Sequence, residues 1–147
     1  MTSFEELRAT YPDLPPAYPS DWPAPLLAYV YALEKEFRVS YSEEFVEFQD
    51  IECHRTPLGS WAQPGFGWAN RNLFSHRQLV TVLRDARHCG VDPRLAAFHK
   101  RDGNFTCCDP TGKIVIWEPS SKKPSGDPAH EWPSFIAWLA STLDADR

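Results

Sequence analysis

The sequence lacks a long hydrophobic run. No stretch reaches the roughly 18 consecutive apolar residues that a membrane-spanning helix needs. Residues 1–16 carry acidic side chains where a secretory signal peptide has a basic and then an apolar segment. We therefore expect a soluble, cytoplasmic protein that does not bind membranes.

Motifs of several common enzyme classes are also missing. The sequence has no P-loop, no dinucleotide-binding fingerprint, no nucleophile elbow and no H-E-x-x-H zinc motif. The carboxylates of Glu43, Glu44 and Glu47 have the right chemistry for general acid-base catalysis, but acids on a helix surface are far more often solvated charge. We expect a protein that is not an enzyme and uses no cofactor.

The cysteines are few, and they do not follow a C-x-x-C spacing. They are Cys53, Cys89, Cys107 and Cys108. Cys53-His54 and His88-Cys89 contain residue types that bind structural zinc, but their spacing matches no zinc motif. We expect buried thiols that behave as small hydrophobic residues, and no metal site.

Aromatic residues and prolines are plentiful: aromatics make up 14% of the 147 residues, and there are 14 prolines. This length allows one domain with a hydrophobic core, and the aromatic content argues against disorder. The prolines predict ordered loops between short elements. We expect residues 1–24 to form a short helix and a proline-rich strap, and residues 25–147 to form the folded domain.

Charge is unevenly distributed along the chain, whose net charge is −5. Residues 34–52 contain seven acids and two bases, whereas residues 55–101 contain eight bases and two acids. Such asymmetry can steer a charged partner, or the two segments can pair within the fold. Solvated faces with some internal pairing are the simpler interpretation, and the sequence leaves both open.

A β-hairpin over residues 104–117 is the best specified element. Residues 104–108 and 113–117 are rich in aromatic, β-branched and small apolar side chains. Between them, the sequence DPTG at residues 109–112 is typical of a type I turn. The sequence DGN at residues 102–104 predicts a second tight turn before the hairpin, so we expect a sheet of at least three strands centred here.

Apolar residues at helical spacing predict helices on both sides of this sheet. Capping boxes predict helix starts at Ser3 and at Ser40, and residues 118–128 predict a polar, mobile loop. The predicted inner stripes are Leu26, Tyr29, Val30, Leu33 and Phe37; Phe45, Val46 and Phe48; Leu79, Val82, Leu83 and Ala86; and Trp132, Phe135, Ile136, Leu139 and Leu143. We expect an α+β domain whose mixed or antiparallel sheet is flanked by N-terminal, middle and C-terminal helices.

Three large aromatics stand close together in the loop before the middle helix. They are Trp61, Phe66 and Trp68. They can anchor a long ordered loop, which is the simpler interpretation, or form a binding surface, since aromatics dominate interface hot spots.

Taken in order, these patterns resemble the SUKH superfamily, which includes bacterial toxin-immunity proteins and yeast cell-wall regulators. Residues 33–48, LEKEFRVSYSEEFVEF, are similar to the family's opening helix, short link and P-E-E-hydrophobic-x-x-F segment, with Tyr41 in place of the proline. DGNF at residues 102–105 and GKIVIW at 112–117 resemble its D-G-G-N/D turn and its G-x-V-x-x-W hairpin. LFS at residues 73–75 and SFIAWL at 134–139 resemble a strand that leads into a helix and the closing helix.

The resemblance covers about residues 25–143 and implies an α+β fold that binds rather than catalyses. It implies an immunity protein that neutralises a cognate toxin, such as a nuclease, by occluding its active or substrate-binding surface. An acidic segment steers towards a basic toxin, while the basic middle segment suits an acidic or mixed surface. We expect no direct contact with nucleic acid. The residues expected to contact the partner are Glu43, Glu44, Glu47, Asp50, Trp61, Trp68, Asp102 and Glu118.

Two other functions stay open. One is a non-catalytic scaffold that recruits endogenous proteins, as the yeast members suggest; a toxin gene beside this one would favour the immunity protein instead. The other is a small-ligand or enzymatic domain, which requires a deep pocket with converging polar groups, and the hairpin face near Trp117 is the place to look for it.

Overall fold

An antiparallel sheet of five strands lies at the centre of the fold, and helices flank it. The structure is a computed structural model that describes residues 3–10, 25–47 and 76–145. The elements are α1 (Phe4–Thr10), α2 (Pro25–Phe37), α3 (His76–His88), β1 (Ala96–Arg101), β2 (Asn104–Cys108), β3 (Ile114–Glu118), β4 (Lys123–Pro124), β5 (Glu131–Trp132) and α4 (Phe135–Ala145). Residues 43–47 are also helical. The predicted α+β class is confirmed, and the sheet is antiparallel.

The first three strands form an antiparallel meander, and the two short strands β4 and β5 both pair with the outer edge of β3. β1 pairs with β2, and β2 pairs with β3. The free edge of β3 is covered at one end by β4, through Trp117 opposite Pro124, and at the other end by β5, through Ile114 opposite Trp132. The predicted hairpin at residues 104–117 is therefore the middle of the sheet.

Both predicted turns are confirmed, and local chemistry explains them. Asp109 Oδ1 accepts hydrogen bonds from Thr111 N at 2.8 Å and Lys113 N at 3.0 Å. Gly112 N donates to Asp109 O at 3.0 Å, which closes the turn. The turn between β1 and β2 has positive φ at both central residues, 53° at Asp102 and 82° at Gly103, as a type I′ hairpin requires.

Both faces of the sheet are buried. One, the Phe105 face, packs against α3 through a cluster that includes Phe105, Cys107, Val115, Trp117, Val82 and Ala86. The other, the Cys108 face, joins α1, α2 and α4 in a larger cluster that includes Ala96, Phe98, Cys108, Ile114, Leu7, Val30, Leu33, Phe45, Phe135 and Leu139. The predicted stripe of α3 is split, since Leu79 and Leu83 belong to the second cluster.

The link after α2 is tied to the sheet. Arg38 has φ of 55°, and Val39 N donates to Glu34 O at 3.0 Å, which ends the helix where the sequence predicts a break. Tyr41 is buried, its hydroxyl donates to Ala97 O at 2.7 Å, and its amide donates to Glu34 Oε2 at 2.8 Å. Because a buried hydroxyl left without a partner costs about 1–3 kcal/mol, these bonds fix the path of the link.

The next helix begins at residue 43, and the prediction of a cap at Ser40 is wrong. Ser42 is the cap, because Phe45 N donates to Ser42 Oγ at 3.2 Å. Residues 39–42 are not helical, since Tyr41 is held between α2 and β1. The other capping prediction is confirmed: Glu6 N donates to Ser3 Oγ at 3.2 Å, and α1 places Leu7 in the core.

The last helix begins at Phe135, so the prediction that Trp132 lies on its stripe is wrong. Trp132 belongs to β5, where it pairs with Ile114. Ser134 caps α4 instead, since Ala137 N donates to Ser134 Oγ at 3.2 Å. Phe135, Ile136 and Leu139 are buried as predicted.

Residues 118–128 have more structure than the predicted polar loop. They include β4, and a 3-10 turn follows at Pro128–His130. Ser125 N donates to Ile116 O at 2.8 Å, so the segment stays bonded to β3.

Several predictions fall on parts of the chain outside the described residues. These are the strap, the aromatic loop with Trp61, Phe66 and Trp68, the residues Phe48 and Asp50, and the side chains of Leu26, Tyr29 and Leu143. Within the described ranges, the helices are all too short or too polar to cross a membrane.

Candidate functional site

A cavity of about 310 Å³ opens on the Cys108 face of the sheet. The ends of β1 and β2, the middle of β3, the chain around β5 and the last turns of α4 surround it. Its lining consists of His99, Arg101, Asp102, Asn104, Thr106, Ile116, His130, Trp132, Trp138, Ser141 and Thr142. A pocket of this size is at the lower end of the range for small-molecule sites.

Buried polar residues converge on this cavity. Among the described residues, the buried polar or charged side chains are His99, Thr106 and Thr142, and all three line it. Polar groups are costly to bury unless they are hydrogen-bonded. Their placement around one opening is the strongest sign that this region serves a function beyond packing.

A β-bulge places His99 in the cavity. Ala97 pairs with Cys107, and His99 pairs with Thr106, so that Phe98 is the extra residue of β1. Strict alternation would put His99 on the Phe105 face, because Ala97 lies there. Phe98 lies on the Cys108 face in either case, and the bulge turns His99 to the same face, where each ring lies close to that of Trp138.

His99 is neutral at physiological pH. Burial, and in second place the positive charge of Arg101, lowers the pKa of this imidazole to about 4. A neutral imidazole has one nitrogen that donates and one that accepts a hydrogen bond. His99 therefore adds a polar but uncharged side chain to the lining of the cavity.

Charge is confined to the rim. Arg101 Nε lies 3.9 Å from Asp102 Oδ2, and both side chains are exposed. The type I′ turn holds this pair at the end of the sheet, beside Asn104. A solvent-exposed pair of this kind contributes little to stability.

Two further elements complete the walls. Trp138, Ser141 and Thr142 stand at i, i+3 and i+4 on α4 and therefore share a helix face. Opposite them, His130 Nδ1 lies 2.7 Å from Ser125 Oγ, a contact that fixes the ring beside Trp132.

The acidic segment forms a second region. Glu43 and Glu47 are exposed on the helical residues 43–47. Glu44 instead accepts a hydrogen bond through Oε1 from Ile136 N at 3.1 Å, near the start of α4. Glu44 stabilises the fold, because a carboxylate is favourable at a helix N-terminus. Glu34 stabilises it by accepting a hydrogen bond from Tyr41 N.

The basic segment is partly paired within the fold. Arg87 Nη2 donates to Phe37 O at the carboxyl end of α2, and Lys100 Nζ lies 3.8 Å from Asp85 Oδ2. Glu34 and Glu44 accept hydrogen bonds from backbone amides. Among the basic side chains, Arg87 thus reaches the acidic segment at a helix end.

The described residues predicted to bind a partner are spread over the helical residues 43–47, the turn after β1 and the end of β3. Asp102 lines the cavity, whereas Glu43, Glu44, Glu47 and Glu118 do not. Glu118 is half-buried at the end of β3, where its Oε1 accepts from Ser121 Oγ at 3.5 Å. Asp50, Trp61 and Trp68 lie outside the described residues.

The sequence names the hairpin face near Trp117 as the place to look for a ligand pocket, and the cavity lies on the other face of the sheet. Trp117 lies on the Phe105 face, in the cluster that packs against α3. The cavity is on the other face of the same strand, where Ile116 lines it. Thr106 of β2 lies opposite Ile116 on that face, whereas Trp117 lies opposite Phe105 on the other face.

Two of the three described thiols are buried as predicted, and Cys89 is partly buried. Cys107 and Cys108 are free and buried on opposite faces of β2. Burial raises the pKa of Cys108 to about 11 and raises that of Cys107 well above its usual range. Both thiols are therefore protonated and unreactive at neutral pH.

Within the described part of the chain, no group of His, Cys, Asp or Glu has the arrangement of a metal site. His88 and Cys89 are described, but Cys53 and His54 are not.

The comparisons with known proteins do not assign the chain. No family model matches it, and neither curated proteins nor solved structures provide a match.

Proposed function

We propose that the chain is a SUKH-like protein that binds another protein, and that this partner is a toxin that it neutralises. The order of elements supports the SUKH-like fold. The elements come in the order that the resemblance implies. They are α2, the link through Tyr41, the helical residues 43–47, the type I′ turn, the hairpin and α4. The domain boundary at residue 25 is part of the same proposal.

The exposed acids Glu43 and Glu47 carry the proposal of partner binding. They stand at i and i+4 on a short helix. Like charges at this spacing cost about 0.2–0.5 kcal/mol, so the helix gains no stability from the pair. Two hydrogen bonds nevertheless hold their helix in place. The Tyr41 hydroxyl just before it donates to Ala97 O, and Glu44 within it accepts from Ile136 N.

Such a pair suits a basic partner surface. Exposed carboxylates on a rigid element steer association electrostatically and require little ordering when the complex forms. A nuclease toxin is basic where it meets nucleic acid, so a protein that covers this surface blocks access of the substrate. The cytoplasm is the compartment proposed for this encounter.

A pull-down tests this proposal. Tagged protein is incubated with lysate of its own cells at low and at moderate salt, and bound proteins are identified by mass spectrometry. We expect one stoichiometric partner with a toxin domain. The variant Glu43→Lys with Glu47→Lys should bind it about tenfold more weakly at low salt, since charge reversal at two steering positions removes about 1.4 kcal/mol or more.

The matched control is Glu5→Lys with Glu6→Lys, which changes the net charge equally on exposed positions of α1. It should bind like the parent protein, and circular dichroism should show both variants folded. Equal binding of both variants would remove the acidic pair from the account. Capture of several housekeeping proteins and no toxin would favour the scaffold.

A further inference from the structure

The cavity on the Cys108 face holds polar groups that the fold itself does not use. Asn104, Thr106 and Thr142 line it, and the two threonines are only 4% and 7% exposed. Within the described part of the chain, neither their hydroxyls nor the side-chain amide of Asn104 takes part in a hydrogen bond. A buried polar group without a partner is costly, so these side chains require a reason to lie here.

The two hydroxyls are open to the cavity rather than sealed in the core. Among the described residues, the buried side-chain atom that lacks both a partner and contact with solvent is Nε1 of Trp117, which lies on the other face of the sheet. The hydroxyls of Thr106 and Thr142 are not in that state, so a molecule in the cavity can reach them.

Other lining residues are already engaged by the fold. His99 and Trp138 are 1% and 3% exposed, and their rings pack against each other with centroids 5.9 Å apart. Trp138 also packs against Phe98 and Phe135. These two residues therefore form the packed base of the cavity, and ligand binding depends on the others.

The mouth and one wall add further groups. Asp102 is exposed in the turn after β1, and Ser141 is exposed on α4. Trp132 and Ile116 are half-buried and line the opening with apolar surface. The cavity thus combines uncharged hydrogen-bonding groups with an apolar flank, whereas the pair of Arg101 and Asp102 places charge at the rim.

A sugar ring matches this combination. Each sugar hydroxyl can donate one hydrogen bond and accept two, which suits an amide, a carboxylate and threonine hydroxyls. The C–H groups of the sugar can pack on the electron-rich face of an aromatic ring such as Trp132. A cavity of about 310 Å³ is at the lower end of the range for small-molecule sites, so it suits a single ring. A flat aromatic ring would leave most of these polar groups unpaired, and a charged ligand would have to be desolvated.

We propose that this cavity binds one uncharged pyranose sugar. Thr106, Thr142 and the Asn104 amide hydrogen-bond its hydroxyls, Asp102 accepts from a hydroxyl at the mouth, and Trp132 packs against its C–H face. The sugar is free or is the end unit of a glycan, and the recognition chemistry is the same in both cases.

Sugar titrations of the whole purified chain, followed by NMR of the Trp132 indole N–H and the Asn104 side-chain amide signals, test this inference. The probes are the methyl α- and β-pyranosides of glucose, galactose, mannose and N-acetylglucosamine. We expect at least one of them to shift both signals saturably, with Kd of about 1–10 mM for so small and uncharged a ligand.

Two control compounds separate the features of the ligand. Tetrahydropyran-2-methanol keeps the saturated ring but lacks the row of hydroxyls, and benzamide is a flat polar ring. Each should bind about tenfold more weakly than the best sugar, or weaker still, because it leaves polar side chains unpaired. The best sugar is then compared with a disaccharide that carries it at the non-reducing end. Tighter binding of the disaccharide identifies the end of a glycan as the ligand, and equal binding identifies a free sugar.

A pair of matched variants locates the site. Ser141 is exposed at the mouth, so Ser141→Trp should cover the opening and weaken binding of the best sugar about tenfold or more without disturbing the core. Ser120→Trp, on an exposed turn outside the lining, is the control and should bind like the parent chain.

Thr106→Val separates a role in binding from a role in folding. The change removes a hydroxyl at nearly constant shape, and replacing an unpaired polar group by an apolar one leaves stability unchanged or raises it. We therefore expect sugar binding to weaken about fivefold or more, while the urea midpoint of unfolding stays at or above that of the parent chain.

Three results would overturn the inference. One is that no sugar of the panel shifts the two signals at about 50 mM, well above the expected Kd. Another is that tetrahydropyran-2-methanol or benzamide binds as tightly as the best sugar. The third is that Ser141→Trp and Thr106→Val both bind that sugar like Ser120→Trp. Because the assay contains no partner protein, failure here leaves the toxin proposal unaffected, and failure of the pull-down leaves this inference unaffected.

Discussion

Replacing Phe98 with alanine is expected to lower the free energy of unfolding by about 3–5 kcal/mol. Phe98 is completely buried on the Cys108 face. Its ring centroid lies 5.3 Å from Phe45, 5.7 Å from Phe135 and 5.0 Å from Trp138. The side chain therefore joins the helical residues 43–47 and α4 to the sheet, and its loss leaves a void that all three elements border.

Urea unfolding followed by circular dichroism and tryptophan fluorescence measures this effect. Phe98→Leu is the companion variant, because it keeps most of the apolar volume and should cost less than about 1.5 kcal/mol. A loss below about 1 kcal/mol for Phe98→Ala would mean that the aromatic cluster does not hold these elements together, contrary to the packing described above.

Acidification from pH 7 to pH 4 is expected to lower stability by about 3 kcal/mol through His99 alone. The pKa of this imidazole is about 4 in the fold, whereas its ordinary value is 6.5. Above pH 6.5 the ring is neutral in both states, so its contribution to stability is fully present. As the pH falls from 6.5 to 4, the unfolded chain takes up a proton that the folded chain does not, and stability is lost progressively.

The variant His99→Gln isolates this effect, since glutamine is polar but does not titrate. Urea unfolding at several pH values should give a smaller slope of stability against pH for the variant in this window. Asp92 does not interfere in this window. Its pKa is lowered, chiefly by the hydrogen bond from the Arg94 side chain, so its contribution to stability is lost only as the pH falls below the ordinary value of 3.8. Identical slopes for parent and variant between pH 6.5 and pH 4 would show that His99 is not a buried neutral group.

Features fixed by neighbouring residues were predictable from the sequence. The DPTG turn depends on hydrogen bonds that the Asp109 carboxylate accepts from backbone amides two and four positions away. The end of α2 depends on Arg38 and the bond from Val39 to Glu34, and the break was correctly located. These features obey local rules, and local rules are visible in a sequence.

Features that depend on distant contacts were missed. His99 reaches the cavity only because the bulge at Phe98 interrupts the alternation of β1, and the residues themselves give no signal for it. Glu44 was predicted to contact a partner, and in the structure it accepts a hydrogen bond from Ile136 N. Because the two residues are 92 positions apart, the sequence gives no sign of this contact. The face of α4 with Trp138, Ser141 and Thr142 did leave a signal, a polar pair at helical spacing from an aromatic.

Co-expression is the measurement that tests the central claim, neutralisation of a toxin, most directly. The toxin domain captured in the pull-down is expressed in a host that lacks this protein, with and without the chain, and surviving colonies are counted. The account predicts that the parent chain restores growth and that Glu43→Lys with Glu47→Lys protects less well at equal expression, while Glu5→Lys with Glu6→Lys protects fully. Growth arrest that is equally severe with and without the folded, expressed chain would contradict it.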